Sequence, residues 1–123
     1  MISQFRSRRK STGGRYRRIN KKLKHLGNLP TLTKIGAIKK RKIRAKGNNI
    51  KERLLTTDIA NIYDPKTKKY YKAKIETVID NPSNRNFVRQ KIMTKGTIIK
   101  TEMGNAKITS RPGQEGTINA ILI

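Results

Sequence analysis

The 123-residue sequence has no cysteine, one histidine, few aromatic residues (5%) and only 7 acidic residues against 31 Lys and Arg. The lack of cysteine excludes disulfides, thiolate chemistry and cysteine-based zinc sites, and is compatible with a reducing cytosol. Long apolar runs are also missing. The longest uninterrupted stretch, Ala120 to Ile123, is far short of the roughly 20 residues a membrane span needs, so no membrane partner is expected. An Arg- and Ser-rich, acid-poor start can mark an organelle transit peptide. Here it has no amphipathic helical pattern and is interrupted by Gly13-Gly14, so that reading is set aside.

What is present is positive charge, unevenly placed. Residues 1–51 hold 18 basic and no acidic residues; residues 52–123 hold 13 basic and 7 acidic, giving +18 and +6 of the net +24. A block that repels itself so strongly calls for a polyanion. Apolar residues make up only 33% of the chain, low for a globular domain. A core is therefore expected in the C-terminal part, small enough that a large partner helps to order the chain.

Residues 1–36 show no convincing period, and Gly13, Gly14, Gly27, Pro30 and Gly36 interrupt any long helix. A short helical turn is expected around Asn20 to Leu26, where Leu23 and Leu26 share a face. The rest reads as an extended basic arm that is disordered alone.

From Lys39 the pattern turns to strands. "KRKIRA" and "IKERLLT" flank "KGNN", which reads as a hairpin; "IANIYD" and "YYKAKIETVID" flank "DPKTKK", with Asp64-Pro65 as a turn start. Alternation places Tyr71, Ala73, Ile75, Thr77 and Ile79 on one face, and Lys72, Lys74 and Glu76 on the other. "NPSN" (Asn81 to Asn84) is a turn or short loop, and Arg111-Pro112-Gly113 is read first as a turn. "TIIKTE", "NAKITS" and "TINAIL" form a three-stranded meander across Met103-Gly104 and "RPGQEG", with Ile118, Ala120 and Leu122 on one face. Ile98, Ile99, Ile108, Ile118 and Ile121 are taken as core. The expected fold is all-β: a small antiparallel β-barrel (residues 37–123) carrying a long basic, mostly extended N-terminal arm (residues 1–36).

No catalytic set emerges. His25, the sole imidazole, sits among positive charges that disfavour its protonated form, with no carboxylate nearby in sequence to orient it. The seven acids are scattered, and there is no phosphate-binding loop, dinucleotide fingerprint or nucleophile elbow. Neither an enzyme activity, a cofactor, a metal nor a small-molecule substrate is expected.

The arm offers a binding chemistry instead. "RSRRKSTGGRYRR", Arg6 to Arg18, has seven basic residues in thirteen. Arginine matches phosphate oxygens bidentately and stacks on bases; lysine adds a mobile charge. Gly13-Gly14 allows positive φ and close approach of RNA, and Tyr16 can stack on an exposed base. The candidate RNA-binding residues of the arm are Arg6, Arg8, Arg9, Lys10, Ser11, Thr12, Gly13, Gly14, Arg15, Tyr16, Arg17, Arg18, Lys21, Lys22, Lys24 and His25. The alternative is a solvated tail of generic affinity. In "KKRKIRAK", alternation puts Lys40, Lys42 and Arg44 on one strand face, either to widen the RNA footprint or only to protect an edge from aggregation. Arg111 is a secondary RNA candidate. No pattern for entering a DNA major groove is found, and a long irregular arm on a small β-domain suits clefts in folded RNA.

The stretches "RKSTGGRYR", "LPTLTKIG", "YDPKTKK" and "DNPSNRNFVRQKIMTKGTIIKTEMGNAKITSRPGQEGTINAILI" resemble the S-eight-e family of archaeal and eukaryotic small-subunit ribosomal proteins, distinct from the bacterial protein of that number. The resemblance runs in order over almost the whole chain. It implies a β-barrel with a basic extension on small-subunit rRNA, in the cytoplasm within the ribosome, beside neighbouring small-subunit proteins. The family's basic Gly-Gly motif maps onto Arg9, Lys10, Ser11, Thr12, Gly13, Gly14 and Arg15. The chain lacks the mid-chain insertion of eukaryotic relatives and so looks archaeal. The expected function is a structural, rRNA-stabilising constituent of the small subunit. The competing readings are an RNA-binding assembly factor and a DNA-compacting chromatin protein.

Overall fold

The computed structural model describes residues 2–3, 9–15 and 26–123. The chain divides after Pro30 into two units, Met1–Pro30 and Thr31–Ile123. In the first, β1 (Ile2–Ser3) pairs antiparallel with β2 (Leu26–Gly27). The helical turn expected around Asn20 to Leu26 lies outside the described residues except for Leu26, which is in β2.

The second unit holds nine strands: β3 (Thr33–Ile35), β4 (Lys39–Arg44), β5 (Ile50–Thr57), β6 (Ile59–Asp64), β7 (Lys69–Asp80), β8 (Ile92–Met93), β9 (Ile98–Thr101), β10 (Gly104–Ile108) and β11 (Asn119–Leu122). Five of them close a barrel in the order β10-β11-β6-β7-β9. The neighbours are antiparallel apart from β11 and β6, a parallel pair that puts Ala120 beside Ile62. The other four form a sheet in the order β4-β5-β3-β8.

Alternation along the strands builds the interior. Ile62, Ile99, Ile108, Ile118 and Val78 point inward together with the small residues Ala60, Ala73, Ala106 and Ala120. Small residues beside branched ones let side chains from five strands fill a narrow barrel. Burying each Ile contributes about 1.5–3 kcal/mol. Leu54 from β5 and Met93 from β8 enter the same cluster, so the second sheet shares the barrel's core. The buried polar groups are bonded: Thr33 Oγ1 donates to the Leu54 carbonyl at 2.7 Å, and Asn81 Nδ2 to the Ile92 carbonyl at 3.2 Å.

Three expectations change. On β7 the alternation holds from Tyr71 to Ile75 and then slips: Val78 is buried and Ile79 is 44% exposed. The register with β9 shifts between Ile75 and Thr77 and again between Val78 and Asp80, and such a bulge moves the next side chains to the opposite face. Ile121 is also not core. It lies between the inward Ala120 and Leu122 and faces out, 40% exposed, while Ile98 is half-buried. The loops after "NPSN" and Arg111 each contain a helical turn. α1 (Arg85–Arg89) is capped by Asn84, whose side chain accepts from the Asn86 N–H at 2.9 Å.

α2 (Pro112–Glu115) begins with Pro at its first position and ends on Gly116 at φ 72°, the left-handed conformation that closes a helix. A Cβ on Gly116 would come within 3.0 Å of Glu52 Cβ and 3.4 Å of the Glu52 carbonyl oxygen. Left-handed strain of about 1–2 kcal/mol would add to that clash. Gly116→Ala is therefore expected to destabilise the protein by about 2 kcal/mol or more in urea unfolding; an unchanged midpoint would contradict this packing.

The β6–β7 turn forms as the sequence suggests. Asp64 Oδ1 accepts from the Lys66 N–H at 2.9 Å and Oδ2 from Thr67 Oγ1 at 2.8 Å. The Lys66 N–H, followed by the Thr67 hydroxyl, holds the Asp64 carboxyl below the ordinary carboxylate range. A carboxyl whose folded pKa is depressed adds stability at neutral pH and loses it as pH falls through the folded value. Asp64→Ala is expected to lower the melting temperature at pH 7 and to narrow that gap in acid below the usual carboxylate range. A gap independent of pH would refute the carboxylate's part in the turn.

Candidate nucleic-acid interface

The basic motif of the arm folds into a small hairpin. Arg9 and Arg15 pair across it as an antiparallel bridge. The Lys10 carbonyl accepts from the Gly13 N–H at 3.0 Å, and the Lys10 N–H donates to the Gly14 carbonyl at 2.7 Å. Gly13 takes φ +82°, as a three-residue hairpin loop ending in a left-handed residue requires. Gly14 has no positive φ, and a Cβ there would meet only Thr12 Oγ1 at 3.9 Å. Of the pair, positive φ thus belongs to Gly13 alone, and nothing among the described residues demands glycine at position 14. All of residues 9–15 are exposed.

The hairpin sets two arginines opposite each other. Like charges directly across a bridge destabilise it in water. An anion between them reverses the sign of that interaction. Ser11 and Thr12 lie exposed at the tip, so their hydroxyls sit near the cations.

A second basic surface is the β4–β5 hairpin. The turn between the strands is a short 3-10 stretch, Lys46–Asn48, closed by the Ala45 N–H donating to the Asn49 carbonyl at 2.7 Å, with Asn48 at φ 59°. Register follows from that turn: Lys40 opposes Leu54, Lys42 opposes Glu52 and Arg44 opposes Ile50. Lys40, Lys42 and Arg44 therefore share a face and are all exposed. Lys40 Nζ reaches Glu52 Oε2 at 3.4 Å, a pair about 40% exposed on each side and worth little net stability.

The opposite face carries Arg41 across from Arg53, and Ile43 across from Lys51. Arg53 Nη1 donates to Thr31 Oγ1 at 3.5 Å and is half-buried. Arg41 and Lys51 are exposed. Alternation along β4 alone puts Arg41, Ile43 and Ala45 on this face but misses Lys51 and Arg53 of β5. The signal lay in the pairing register, which carries the basic pattern of β4 onto β5. β4 is also the edge of its sheet, so its charges guard an unpaired strand edge as well.

Arg111 is exposed and stands at the N-terminus of α2, where its carbonyl accepts from the Gln114 and Glu115 N–H groups, both at 2.9 Å. Gly116, at the far end of α2, packs on Glu52. The loop bearing Arg111 therefore rests on the basic hairpin's inner strand. Arg6, Arg8, Tyr16, Arg17, Arg18, Lys21, Lys22, Lys24 and His25 lie outside the described residues. Among the described residues no group of three or more His, Asp or Glu side chains could hold a metal ion, and no helix is long and apolar enough to cross a membrane.

Known proteins place the chain. The sequence pattern of the family described as "Ribosomal protein S8e" matches residues 3–123. "Small ribosomal subunit protein eS8" of Nanoarchaeum equitans is 52% identical over 121 residues, covering 98% of this chain and 95% of that protein. The proteins of the same name from Methanocella arvoryzae and Picrophilus torridus are each 49% identical; they cover 100% and 99% of this chain, and 99% and 98% of their own lengths. With a match over nearly every residue and identity near one half, this chain belongs to the S8e family of ribosomal proteins.

Proposed function

We propose that the chain is a structural constituent of the small ribosomal subunit that binds and stabilises the subunit's rRNA. Its place is then the cytoplasm, within the ribosome. Its partners are small-subunit rRNA and neighbouring small-subunit proteins, and its role is structural rather than catalytic. The names of its archaeal relatives support the subunit, and the charge pattern supports the RNA. The observation that carries the reading is the acid-free stretch of residues 1–51, whose described cations are all exposed, most of them in two hairpins.

In this reading the work is divided. The arm, of whose residues 1–36 the last few are held in the sheet by β3, follows phosphate-lined clefts, and the Arg9/Arg15 hairpin grips phosphate where the two arginines pair across its bridge. The barrel domain, residues 37–123, is a rigid mount that presents Lys40, Lys42, Arg44 and Arg111. Neutralising phosphates releases condensed counterions, which drives binding and makes it salt-dependent. Joining RNA segments through one rigid body then fixes their relative position.

The test is competition between small-subunit rRNA and duplex DNA of equal phosphate content at 0.15 M salt. The account expects rRNA to win clearly. Equal affinity for both would favour DNA compaction and reject the proposal.

A further inference from the structure

The outer face of the barrel carries a groove that no basic hairpin accounts for. It runs across β7, β6 and β11 and encloses about 500 Å³. Tyr70 and Tyr63 form its aromatic wall, with ring centroids 4.9 Å apart and planes tilted by 40°. The two residues are opposite each other on β7 and β6. Tyr70 is 78% exposed although it is a large aromatic side chain on a strand, and Ile121, the partner of Tyr63 on β11, is 40% exposed.

The floor is polar and specific. Asn61 Nδ2 donates to Asn119 Oδ1 at 3.0 Å, across the parallel β6–β11 pair. That bond leaves one carboxamide oxygen and one carboxamide NH2 side by side, whichever way the two amides are turned. Lys72 opposes Asn61 on β7 and is exposed at the groove's edge. No acidic residue lines the groove. An aromatic platform, a paired donor and acceptor, and a cation match the face, the edge and the phosphate of a nucleotide. The base must be unpaired, because both its face and its hydrogen-bonding edge are engaged.

We infer that this groove is a nucleobase site: an unpaired nucleotide of the bound RNA stacks on Tyr70, sets its edge on Asn61 and Asn119, and lays its phosphate against Lys72. The inference rests on the RNA-binding reading and deepens it. The barrel then contributes a base contact as well as charge, which places one point of the RNA to within a single nucleotide.

The experiment uses the full chain and the hexanucleotide r(A)6 as probe. Aromatic–base stacking predicts that Tyr70→Ala weakens r(A)6 binding about 5- to 100-fold with the salt slope unchanged. Tyr70→Phe should bind within about twofold of the parent, since the ring and not the hydroxyl carries the stack. The side-chain amide resonances of Asn61 and Asn119 should shift on saturation. Tyr70 is exposed, so the melting temperature of both variants reports whether folding is intact. Parental affinity in a folded Tyr70→Ala protein, or unmoved amide resonances, would overturn the inference. If arm neutralisation still weakens rRNA binding in that case, the wider RNA reading survives; if it does not, both fall. In native small subunits, ultraviolet cross-linking should leave a nucleotide adduct on the Tyr70 peptide. A protein cross-link there in place of a nucleotide would assign the groove to a neighbouring protein and reject the site.

Discussion

Replacing all seven basic residues of Arg6–Arg18 with glutamine is expected to lower the slope of log affinity against log salt by about 5 to 6, with affinity at 0.1 M salt falling by orders of magnitude. Each neutralised phosphate contributes about 0.7 to 0.9 to that slope, and seven cations are removed. The hairpin geometry sharpens the expectation for one pair. Arg9 and Arg15 oppose each other across the bridge, so a phosphate between them interacts with both. Either change alone then breaks the shared grip, so Arg9→Gln with Arg15→Gln should lose less affinity than the two single changes summed. The core should not suffer, because both arginines are exposed and lie outside the second unit. Salt titrations of rRNA binding for the parent and the variants would measure this. A slope unchanged in the sevenfold variant would remove the arm from the interface.

The second large effect concerns the scaffold. Ile99 is fully buried on β9 and packs in the cluster that both sheets share. Ile99→Ala removes methyl and methylene groups from an interior whose strands cannot close in, so a cavity remains. Changes of this kind cost about 2–5 kcal/mol. A small domain holds about 5–15 kcal/mol in all, so the melting temperature should drop by more than 10 °C. Ile121→Ala on β11 is the control. Its side chain faces out, and its loss should cost far less. Equal losses at the two positions would mean that Ile99 does not sit in the interior.

These contrasts mark what the sequence reveals and what it hides. The meander of β9, β10 and β11 is legible because its strands alternate strictly and its connections carry clear turn residues, Gly104 in one and Pro112 with Gly116 in the other. Ile118, Ala120 and Leu122 point inward as their spacing says, and the same spacing puts Ile121 outside. The second half of β7 is not legible. The bulges beyond Ile75 come from pairing with β9, a partner some twenty residues away in sequence, and they exchange Val78 for Ile79. α1 and α2 are single turns, too short for a 3.6-residue period to register. Their signals are local: Asn84 as a cap, and Pro112 with Gly116 as start and stop.

The candidate interface divides in the same way. A run of cations without acids announces its partner class from composition alone. The face of β4 that holds Lys40, Lys42 and Arg44 follows from period two. The cations across from it need the register of the β4–β5 turn. With "KGNN" as the turn Ala45 would oppose Ile50; the observed pairing is Arg44 with Ile50, and such a one-residue shift exchanges faces. The Tyr70 groove is less legible still. Tyr63 and Tyr70 meet across a hairpin, whereas Asn61 and Asn119 are brought together by a parallel pair spanning 58 residues. No local pattern predicts that pairing.

The central claim is that this chain is a permanent part of the small subunit held by its RNA. The most direct measurement is co-sedimentation with native small subunits through a sucrose gradient, before and after a high-salt wash. The account predicts one copy per mature subunit, retained through moderate salt. Presence only in lighter precursor particles, or loss from subunits and precursors alike, would contradict it.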